Sequence, residues 1–433
     1  MYVVVFFVKV NMRILKYTAS TENQLVALVD DRSIPVDGYS SYYITSELCL
    51  DNHSINTMVK HVYELKFFLE WLQYIQIDII DRVERGIFLS DSEVYTFVDA
   101  AKLKRSENFQ DKDNVVSIDG ITDKYVSNEI MATAAAKQRV DTKTTNGRVT
   151  MAACYIEFLS LEIHTGIMPD MAVEALNRTR VRLQNNKLRV SAHAAAGKKY
   201  DGFNSVLADE SFQLLLNIIQ PQSPKNPFKH SQIRNRLIVE ILADTGIRRG
   251  ALSKLKISDI DFTKSANRLY IRRSPEDPSD SRLHKPQQKT AEHSTYINPV
   301  LVGDIESYIN NVRSYIPGAL SHEFLFITEM DTKGTIGSPL SIYSIDYIFS
   351  TLSRAIGVRV SSHILRHKWN EVFTDKTAHL TDSEARKRRI DSMGWSKTSA
   401  MPERYNHFKD LQKAYSTQQD IQREILARRE RDE

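Results

Sequence analysis

Two long segments of the chain repeat apolar residues at the spacing of an α-helix, and this pattern constrains the fold most strongly. In HSINTMVKHVYELKFFLEWLQYI the repeat runs from Ile55 to Leu72. In NGRVTMAACYIEFLSLEI it runs from Val149 to Leu159. An apolar stripe with a period near 3.6 residues is typical of an amphipathic helix that packs on a core. The two segments therefore predict a helical domain at residues 51–185.

Length and composition narrow the class of protein. A chain of 433 residues is too long for one ordinary core, so we expect two or three domains. Hydrophobic residues make up 42% and charged residues 26%, which is typical of a folded protein rather than a disordered one. Two cysteines exclude a disulfide framework and a cysteine-rich zinc site. Because no apolar run of about 18 residues occurs, we expect no membrane span and a cytoplasmic location.

The charge balance permits a nucleic-acid partner without requiring one, since 58 Lys and Arg face 54 acidic residues. The clustering of basic residues along the chain is more informative than the net charge. The segment NRTRVRLQNNKLRVSAHAAAGKKYDG, from Asn177, is basic and has little periodicity, so it predicts a polar linker, placed at 186–204. Two domains joined by such a segment could clamp a polyanion. The candidate DNA contacts are Arg180, Arg182, Lys198 and Lys199.

The remaining parts of the chain complete the predicted organisation. Residues 1–50 form a strand-rich segment, because YVVVFFV and RSIPVDGYSSYYIT resemble short strands with a turn between Pro35 and Gly38. KLKRSENFQDKDNVVSIDGITDK is charged and aperiodic, which predicts a loop. Residues 411–433 form a charged tail helix whose thin apolar stripe suits docking into a neighbouring groove.

Residues 205–410 predict a second domain. DESFQLLLNIIQ and SQIRNRLIVEILADTGIRRGALSKL are helical in pattern, with a turn at Thr245-Gly246 inside the latter. Two short strands, RLYIRRS and HSTYINPV, flank a polar connection. Further helices are expected at 342–357, 363–380 and 383–393. The predicted fold class is mainly α with a small β-sheet (α+β).

One five-residue window, His363 to His367, points to chemistry. On a helix His363, Arg366 and His367 share a face, which could hold a metal, grip an anion or be a wet surface. The metalloprotease motif needs Glu directly after its first His, where this chain has Ile364, and no third ligand lies nearby in sequence. A guanidinium beside an imidazole suits a phosphate. The anion interpretation is therefore favoured.

Other segments add residues of the same chemistry. Arg248 follows a tight turn and begins a helix, where backbone N–H groups also favour an anion. Lys289 lies at the tip of what resembles a hairpin, and Trp395 and Tyr405 come late in the chain. Neither a P-loop nor a metal-ligand motif accompanies them, so we expect no cofactor and no metal.

In this order the motifs TGIR, HILRH and MGWSKTSAMPERYNHF closely resemble those of the tyrosine recombinase (phage integrase) family. The resemblance covers roughly residues 205–410, and the helical domain before it is similar in kind to the family's core-binding domain. It implies that Arg248 and Arg366 grip a phosphate, Lys289 is the hairpin lysine, His363 the first histidine and Tyr405 the nucleophile.

The chain also departs from the family pattern. Trp395 stands where most members have a second histidine; Cre-like members share the tryptophan, whose indole N–H can donate a hydrogen bond. Ala251 stands where a glutamate is usual, and Thr295-Tyr296 where an arginine often follows the lysine. Lys285 competes with Lys289 for the lysine role, although Lys289-Thr290 better matches the family's Lys-Thr pair.

The resemblance implies a site-specific DNA recombinase that forms a 3′-phosphotyrosine intermediate during integration, excision or transposition of a mobile element. It implies four protomers on two DNA duplexes, a monomer or dimer in isolation, a possible accessory DNA-bending protein and association with the nucleoid. Two alternatives stay open: a type IB topoisomerase that relaxes supercoils as a monomer, and a catalytically silent DNA-binding regulator.

Several neighbouring residues have plainer interpretations. Arg249 is expected at the surface or on the DNA backbone, and RKRR at 386–389 on a solvated helix face. His367 is expected to be structural, and His407 to support the turn that carries the nucleophile.

Overall fold

The computed structural model forms two compact units, Met1–His193 and Ala194–Glu433. It describes residues 10–18, 24–49, 54–104, 139–165, 168–188, 207–263, 267–274, 277–282, 285–288, 290–331 and 334–432. The predicted strand YVVVFFV, most of the predicted charged loop, Lys198, Lys199 and Lys289 lie outside the described residues.

The first unit contains a two-stranded sheet and six α-helices among its described residues. Strands β1 (Arg13–Thr18) and β2 (Gln24–Val29) pair antiparallel, with Arg13 opposite Val29. The helices are α1 (Gly38–Tyr43), α2 (Ile55–Tyr74), α3 (Ile79–Glu84), α4 (Asp91–Ala101), α5 (Thr142–Ile163) and α6 (Asp170–Asn185). A π-helical turn, Ile44–Cys49, follows α1. The strands predicted in RSIPVDGYSSYYIT are therefore wrong after Asp37, whose side chain caps α1 by accepting from the Ser40 N–H.

The core of the first unit joins α2 and α5, as their apolar stripes predict. Phe68 and Trp71 of α2 pack against Phe97 of α4 with ring centroids 5.1 and 4.9 Å away. The buried Arg148 of α5 donates to the carbonyls of Ala101 and Leu103 at 2.9 and 2.8 Å. Arg148 thereby supplies hydrogen-bond donors to carbonyl groups at the C-terminal end of α4.

The basic segment from Asn177 begins inside a helix that ends before residue 186, where the predicted linker starts. Helix α6 continues through Asn185, with Ala172, Leu176, Thr179 and Leu183 buried at helical spacing. Arg180 pairs with Glu157, and Arg182 pairs with Asp91. The many charged residues of α6 make the helical pattern hard to recognise in the sequence, because only one residue in each turn is buried.

The second unit contains a two-stranded sheet and eight α-helices among its described residues. The helices are α7 (Asp209–Ile218), α8 (Gln232–Thr245), α9 (Arg249–Lys254), α10 (Pro299–Asn311), α11 (Ile342–Ile356), α12 (Ser362–Lys376), α13 (Asp382–Met393) and α14 (Met401–Asp432). Strands β3 (Arg268–Ile271) and β4 (His293–Tyr296) pair antiparallel, with Ile271 opposite His293. The predicted fold class, mainly α with a small β-sheet, is confirmed.

Helix α8 lies at the centre of the second unit. Its residues Leu237, Ile238, Val239, Ile241 and Leu242 are all buried, so the helix is covered on nearly every side. Helices α9, α10 and α12 pack against it. A buried central helix gives the elements around it a fixed position, which matters because α9 and α12 carry candidate site residues.

Two features of the second unit differ from the predictions. Helix α10 was not predicted, although Asn298 caps it by accepting from the Val300 N–H and Pro299 occupies its first turn. The tail is not a separate element, because α14 runs unbroken from Met401 to Asp432 and includes Tyr405. No helix among the described residues is long and apolar enough to cross a bilayer.

Candidate active site

A tight turn after α8 positions Arg248. The helix ends at Thr245, and Gly246 adopts φ 61°, the left-handed conformation that favours glycine. A Cβ on Gly246 would lie 2.8 Å from Cγ of Trp369, so no larger residue fits there without displacement. The Gly246 carbonyl accepts a hydrogen bond from Nη1 of Arg366 at 2.6 Å. Arg366 therefore holds the turn that presents Arg248.

The two arginines form a cationic centre that is largely shielded from water. Arg366 is 3% exposed and Arg248 is half-buried. Nη2 of Arg366 and Nη1 of Arg248 are buried without a well-aligned acceptor among the described residues. Burial and then the charge of Arg248 lower the pKa of Arg366 to about 10. Two guanidiniums, each with a buried Nη donor that has no aligned acceptor among the described residues, are arranged to receive an anion from outside the chain.

Two histidines of α12 stand beside the arginines. The rings of His363 and His367 meet edge to face with centroids 4.4 Å apart, and their Nε2 atoms are 3.1 Å apart. Burial, then His363 and Arg366, lower the pKa of His367 to about 4. Desolvation, then Arg366 and Arg248, lower the pKa of His363, although one side of it faces solvent. Both imidazoles are therefore neutral near pH 7, and His363 can accept a proton.

The metal interpretation of the histidine pair gains no support from their surroundings. Among the described residues, no group of three His, Cys, Asp or Glu side chains is arranged to hold a metal ion. The charged residues near His363 and His367 are arginines instead. Positive charge beside a possible ligand disfavours a bound metal ion.

Trp395 and Tyr405 close the site. Tyr405, in the second turn of α14, is 4% exposed and stacks on Trp395 with ring centroids 5.8 Å apart and planes 7° apart. Its hydroxyl interacts with Arg366, which raises the pKa of that guanidinium against the larger effect of burial. Cζ of Arg366 lies 5.5 Å from the Trp395 ring centroid. Nε1 of Trp395 is buried without a described acceptor, so it can still donate one hydrogen bond.

The residues on either side of Lys289 are fixed to the same site. A Cβ on Gly250 would lie 2.5 Å from the carbonyl oxygen of Gln287, so this part of the connection packs against α9. Beyond Lys289, the Ala291 N–H donates to the Gly394 carbonyl at 2.9 Å, one residue before Trp395. The described residues before and after position 289 therefore contact Gly250, two residues after Arg248, and Gly394, one residue before Trp395.

The competing lysine is engaged elsewhere. Nζ of Lys285 donates to the carbonyl of Asp277 at 3.3 Å, within the connection between β3 and β4. That connection is anchored by Arg282, which pairs with the buried Asp280 and donates to the Leu340 carbonyl at 2.7 Å. Lys285 thus contributes to the internal packing of this connection.

One residue near the site carried no signal in the sequence. His293, at the start of β4, has Nδ1 3.0 Å from the Ala291 carbonyl. Burial lowers its pKa, the hydrogen bond to Ala291 opposes this effect, and the charges of Arg366 and Arg248 lower it further. A single histidine on a short strand matches no motif, and only the folded arrangement brings it near both arginines.

The other described candidates for DNA contact pair with carboxylates, although the charge of Arg249 also helps to lower the pKa of His363. Arg249 is exposed and pairs with Asp346 of α11. Arg180 and Arg182 belong to the first unit, where each pairs with a carboxylate. The structure thus brings together Arg248, His363, Arg366, Trp395 and Tyr405.

A comparison with known families matches residues 205–411 to the phage integrase family. The chain is a tyrosine recombinase whose residues 205–411 match the phage integrase domain. It is therefore an enzyme of DNA strand breakage and rejoining. The tyrosine recombinase XerA of Pyrococcus furiosus is 26% identical over 232 residues, which cover 51% of this chain and 71% of XerA.

Solved structures similar to this recombinase include two bound to DNA. A lambda integrase dimer on a COC′ core site is 12% identical and covers 85% of this chain and 93% of that one, with a TM-score of 0.43. XerH on a palindromic difH substrate is 18% identical and covers 62% and 71%, with a TM-score of 0.38. A crystal structure of XerA is 12% identical and covers 87% and 96%, with a TM-score of 0.35.

Gly394 joins the hairpin to the site of this recombinase, and its replacement tests that connection. Its φ is 60°, and a Cβ there would lie 2.3 Å from Nδ1 of His293 and 2.8 Å from the Ala291 carbonyl oxygen. We expect Gly394→Ala to slow DNA cleavage at least about tenfold, because the hairpin must move away from Trp395.

Gly357→Ala is the matched control for this prediction. Gly357 ends α11 with φ 72°, and a Cβ there meets nothing within 4 Å. Both variants should lose roughly 1–2 kcal/mol of stability from the left-handed backbone, measured by chemical denaturation. Equal cleavage rates in the two variants would show that the contact between hairpin and turn is unimportant.

Proposed function

We propose that Arg248, Lys289, His363, Arg366, Trp395 and Tyr405 are the catalytic set with which this recombinase cleaves and rejoins DNA at a specific site, through a 3′-phosphotyrosine intermediate. One observation supports this most directly. The Tyr405 hydroxyl lies at Arg366, which shares a buried cationic centre with Arg248 and has an unused donor. A nucleophile beside a cationic centre that can bind a phosphate is what phosphoryl transfer needs.

The reaction follows from the charges and proton-transfer groups present. Tyr405 Oη attacks the scissile phosphorus, forming the Oη–P bond while the bond from phosphorus to the 5′-oxygen breaks. A tyrosine hydroxyl ordinarily has a pKa near 10, so attack near neutral pH needs a base or a cationic setting. His363, held neutral, accepts the phenolic proton. Arg248 and Arg366 stabilise the negative charge that grows on the non-bridging oxygens.

Lys289 supplies the proton that the departing 5′-oxygen requires. Its immediate neighbours support this choice, because Gln287 packs on Gly250 and Ala291 bonds to Gly394. Lys285, in contrast, donates to the Asp277 carbonyl. Rejoining is the reverse reaction with a 5′-hydroxyl of another strand, and it consumes no high-energy nucleotide since the phosphotyrosine bond conserves the energy.

Trp395 takes the position at which a second histidine is usual, as in Cre-like members. Its buried Nε1–H would donate to a non-bridging phosphate oxygen, and its ring supports Tyr405. It cannot transfer a proton. His363 and Lys289 then carry all proton transfer at the phosphate.

The proposed substrate is a double-stranded recombination site in the cytoplasm, on the nucleoid, with four protomers on two duplexes. The exposed Tyr415, Ile421 and Ile425 of α14 suit docking onto a second copy. Further phosphate contacts are proposed for Arg180, Arg182, Lys198, Lys199 and Arg249. Those of them that pair with carboxylates must exchange these partners for phosphate.

Trapping the covalent intermediate tests the proposed function. The probes are DNA duplexes from the sequences that flank the gene, nicked beside each candidate cleavage position so that the released fragment diffuses away. We expect a covalent protein–DNA adduct in the presence of EDTA, and a native gel that shows two duplexes held in one complex. Strict dependence on Mg²⁺ would contradict the mechanism, and relaxation of supercoils without strand exchange would favour a topoisomerase.

A further inference from the structure

Arg389 of α13 is buried, contrary to the solvated helix face predicted for RKRR at 386–389. It is 2% exposed, whereas its neighbours Lys387 and Arg388 are exposed. Burying a guanidinium without a carboxylate is costly, so such a residue usually has a specific task. Among the ion pairs of the described residues, none involves Arg389.

The hydrogen bonds of Arg389 converge on the helix that carries the nucleophile. Nη1 donates to Oδ1 of Asn406 at 2.8 Å and to the carbonyl of Pro402 at 3.3 Å. These two residues flank Tyr405 in the first turns of α14. Nη2 donates to Oγ1 of Thr374 on α12 at 2.7 Å. One rigid fork thus ties α14 to α12, the helix that carries His363 and Arg366.

Charged and titratable groups face the phenol of Tyr405 from three neighbouring parts of the structure. Arg366 and His367 face it from α12, Arg248 from the turn after α8, and Arg389 from α13. Glu403, the carboxylate near Arg389, pairs with Arg386 at 2.8 Å at the surface. Arg389 therefore adds positive charge near the phenol from α13.

We propose that Arg389 is a positioning residue of DNA cleavage: its buried fork fixes the first turns of α14 and so aims Tyr405 at the phosphate held by Arg248 and Arg366. This inference rests on the proposed function. Because the acceptors of Arg389 among the described residues are neutral, it holds α14 by geometry, while its charge remains available to favour the phenolate of Tyr405. It touches neither substrate nor leaving group.

Single-turnover adduct formation with the nicked duplex, measured from pH 6 to 10, tests this role. Arg389→Met removes fork and charge, and we expect adduct formation to slow about 10- to 100-fold, with its rise toward high pH displaced upward. Arg389→Lys keeps the charge, so it should restore the position of the pH profile but only part of the rate. DNA affinity should stay within about twofold of wild type.

Arg388→Met is the matched control, because it removes the same charge from an exposed neighbour on the same helix. It should leave rate and pH profile unchanged. A purely structural Arg389 would lower the unfolding midpoint and the active fraction while leaving the pH profile in place, and that result would overturn the inference.

A second variant keeps the test decisive if Arg389→Met does not fold. Asn406→Ala removes one acceptor on α14 and leaves Arg389 in place, so it should slow adduct formation in the same direction. Unchanged rates in both Asn406→Ala and Arg389→Lys would overturn the inference. An adduct that survives Tyr405→Phe would instead refute the proposed function, so the two failures are distinguishable.

Discussion

Replacing Arg366 with alanine should slow formation of the covalent DNA adduct by about 10² to 10³, which corresponds to roughly 3–4 kcal/mol of transition-state stabilisation. Two losses add up in this variant. The phosphate loses a buried donor, and the Gly246 carbonyl loses the hydrogen bond that holds the turn before Arg248. The measurement is single-turnover cleavage of the nicked duplex at saturating protein.

Arg366→Lys and Arg249→Ala are the controls for this prediction. Lysine keeps the charge but cannot bond to Gly246 and to a phosphate together, so its rate should lie between those of alanine and wild type. Arg249 is exposed and paired with Asp346, and its loss should weaken DNA binding and reduce the salt slope by about one without a comparable loss of cleavage rate. An Arg366→Ala protein that cleaves within threefold of wild type would contradict the proposed phosphate site.

Replacing Tyr405 with phenylalanine should abolish the covalent adduct altogether while DNA binding persists. The variant lacks only the attacking oxygen, and its ring keeps the stacking contact with Trp395. We expect the free energy of unfolding to change by less than about 1 kcal/mol, since only a buried hydroxyl is lost. Gel detection of the adduct, together with a binding titration, separates chemistry from affinity.

Tyr415→Phe is the matched control for the nucleophile. Tyr415 lies on the same helix, ten positions further along, and is exposed. Its hydroxyl should be dispensable for adduct formation. A wild-type protein that binds the DNA site without forming an adduct, so that Tyr405→Phe changes nothing, would favour the regulator interpretation.

The elements that carry apolar stripes were predictable from the sequence, and so was the grouping of the site. Helix α2 spans Ile55–Tyr74, where the pattern indicated it, because each turn places one apolar residue on the same face. The converging residues Arg248, His363 and Arg366 came from short motifs whose order is specific to the family. Pattern and motif succeed where the determinant lies within a few residues of chain.

Features that depend on distant partners were not predictable. Arg389 lies in a run of charged residues that is typical of an exposed helix face. It is buried because α13 packs it against α12 and α14. His293 gains its electrostatic setting from arginines more than 40 positions away in sequence. The helical structure of residues 38–49 was not predicted, because their β-branched and aromatic residues favour strands locally. The cap at Asp37 starts a helix instead.

The position of the DNA on the protein after cleavage tests the central claim most directly. Adduct formed in EDTA is digested with protease and nuclease, and the nucleotide-bearing peptide is sequenced by mass spectrometry. The account predicts one modified residue, Tyr405, joined through a phosphate to the 3′-oxygen of the cleaved strand. A nucleotide on any other side chain, or a 5′-phosphate linkage to Tyr405, would contradict it.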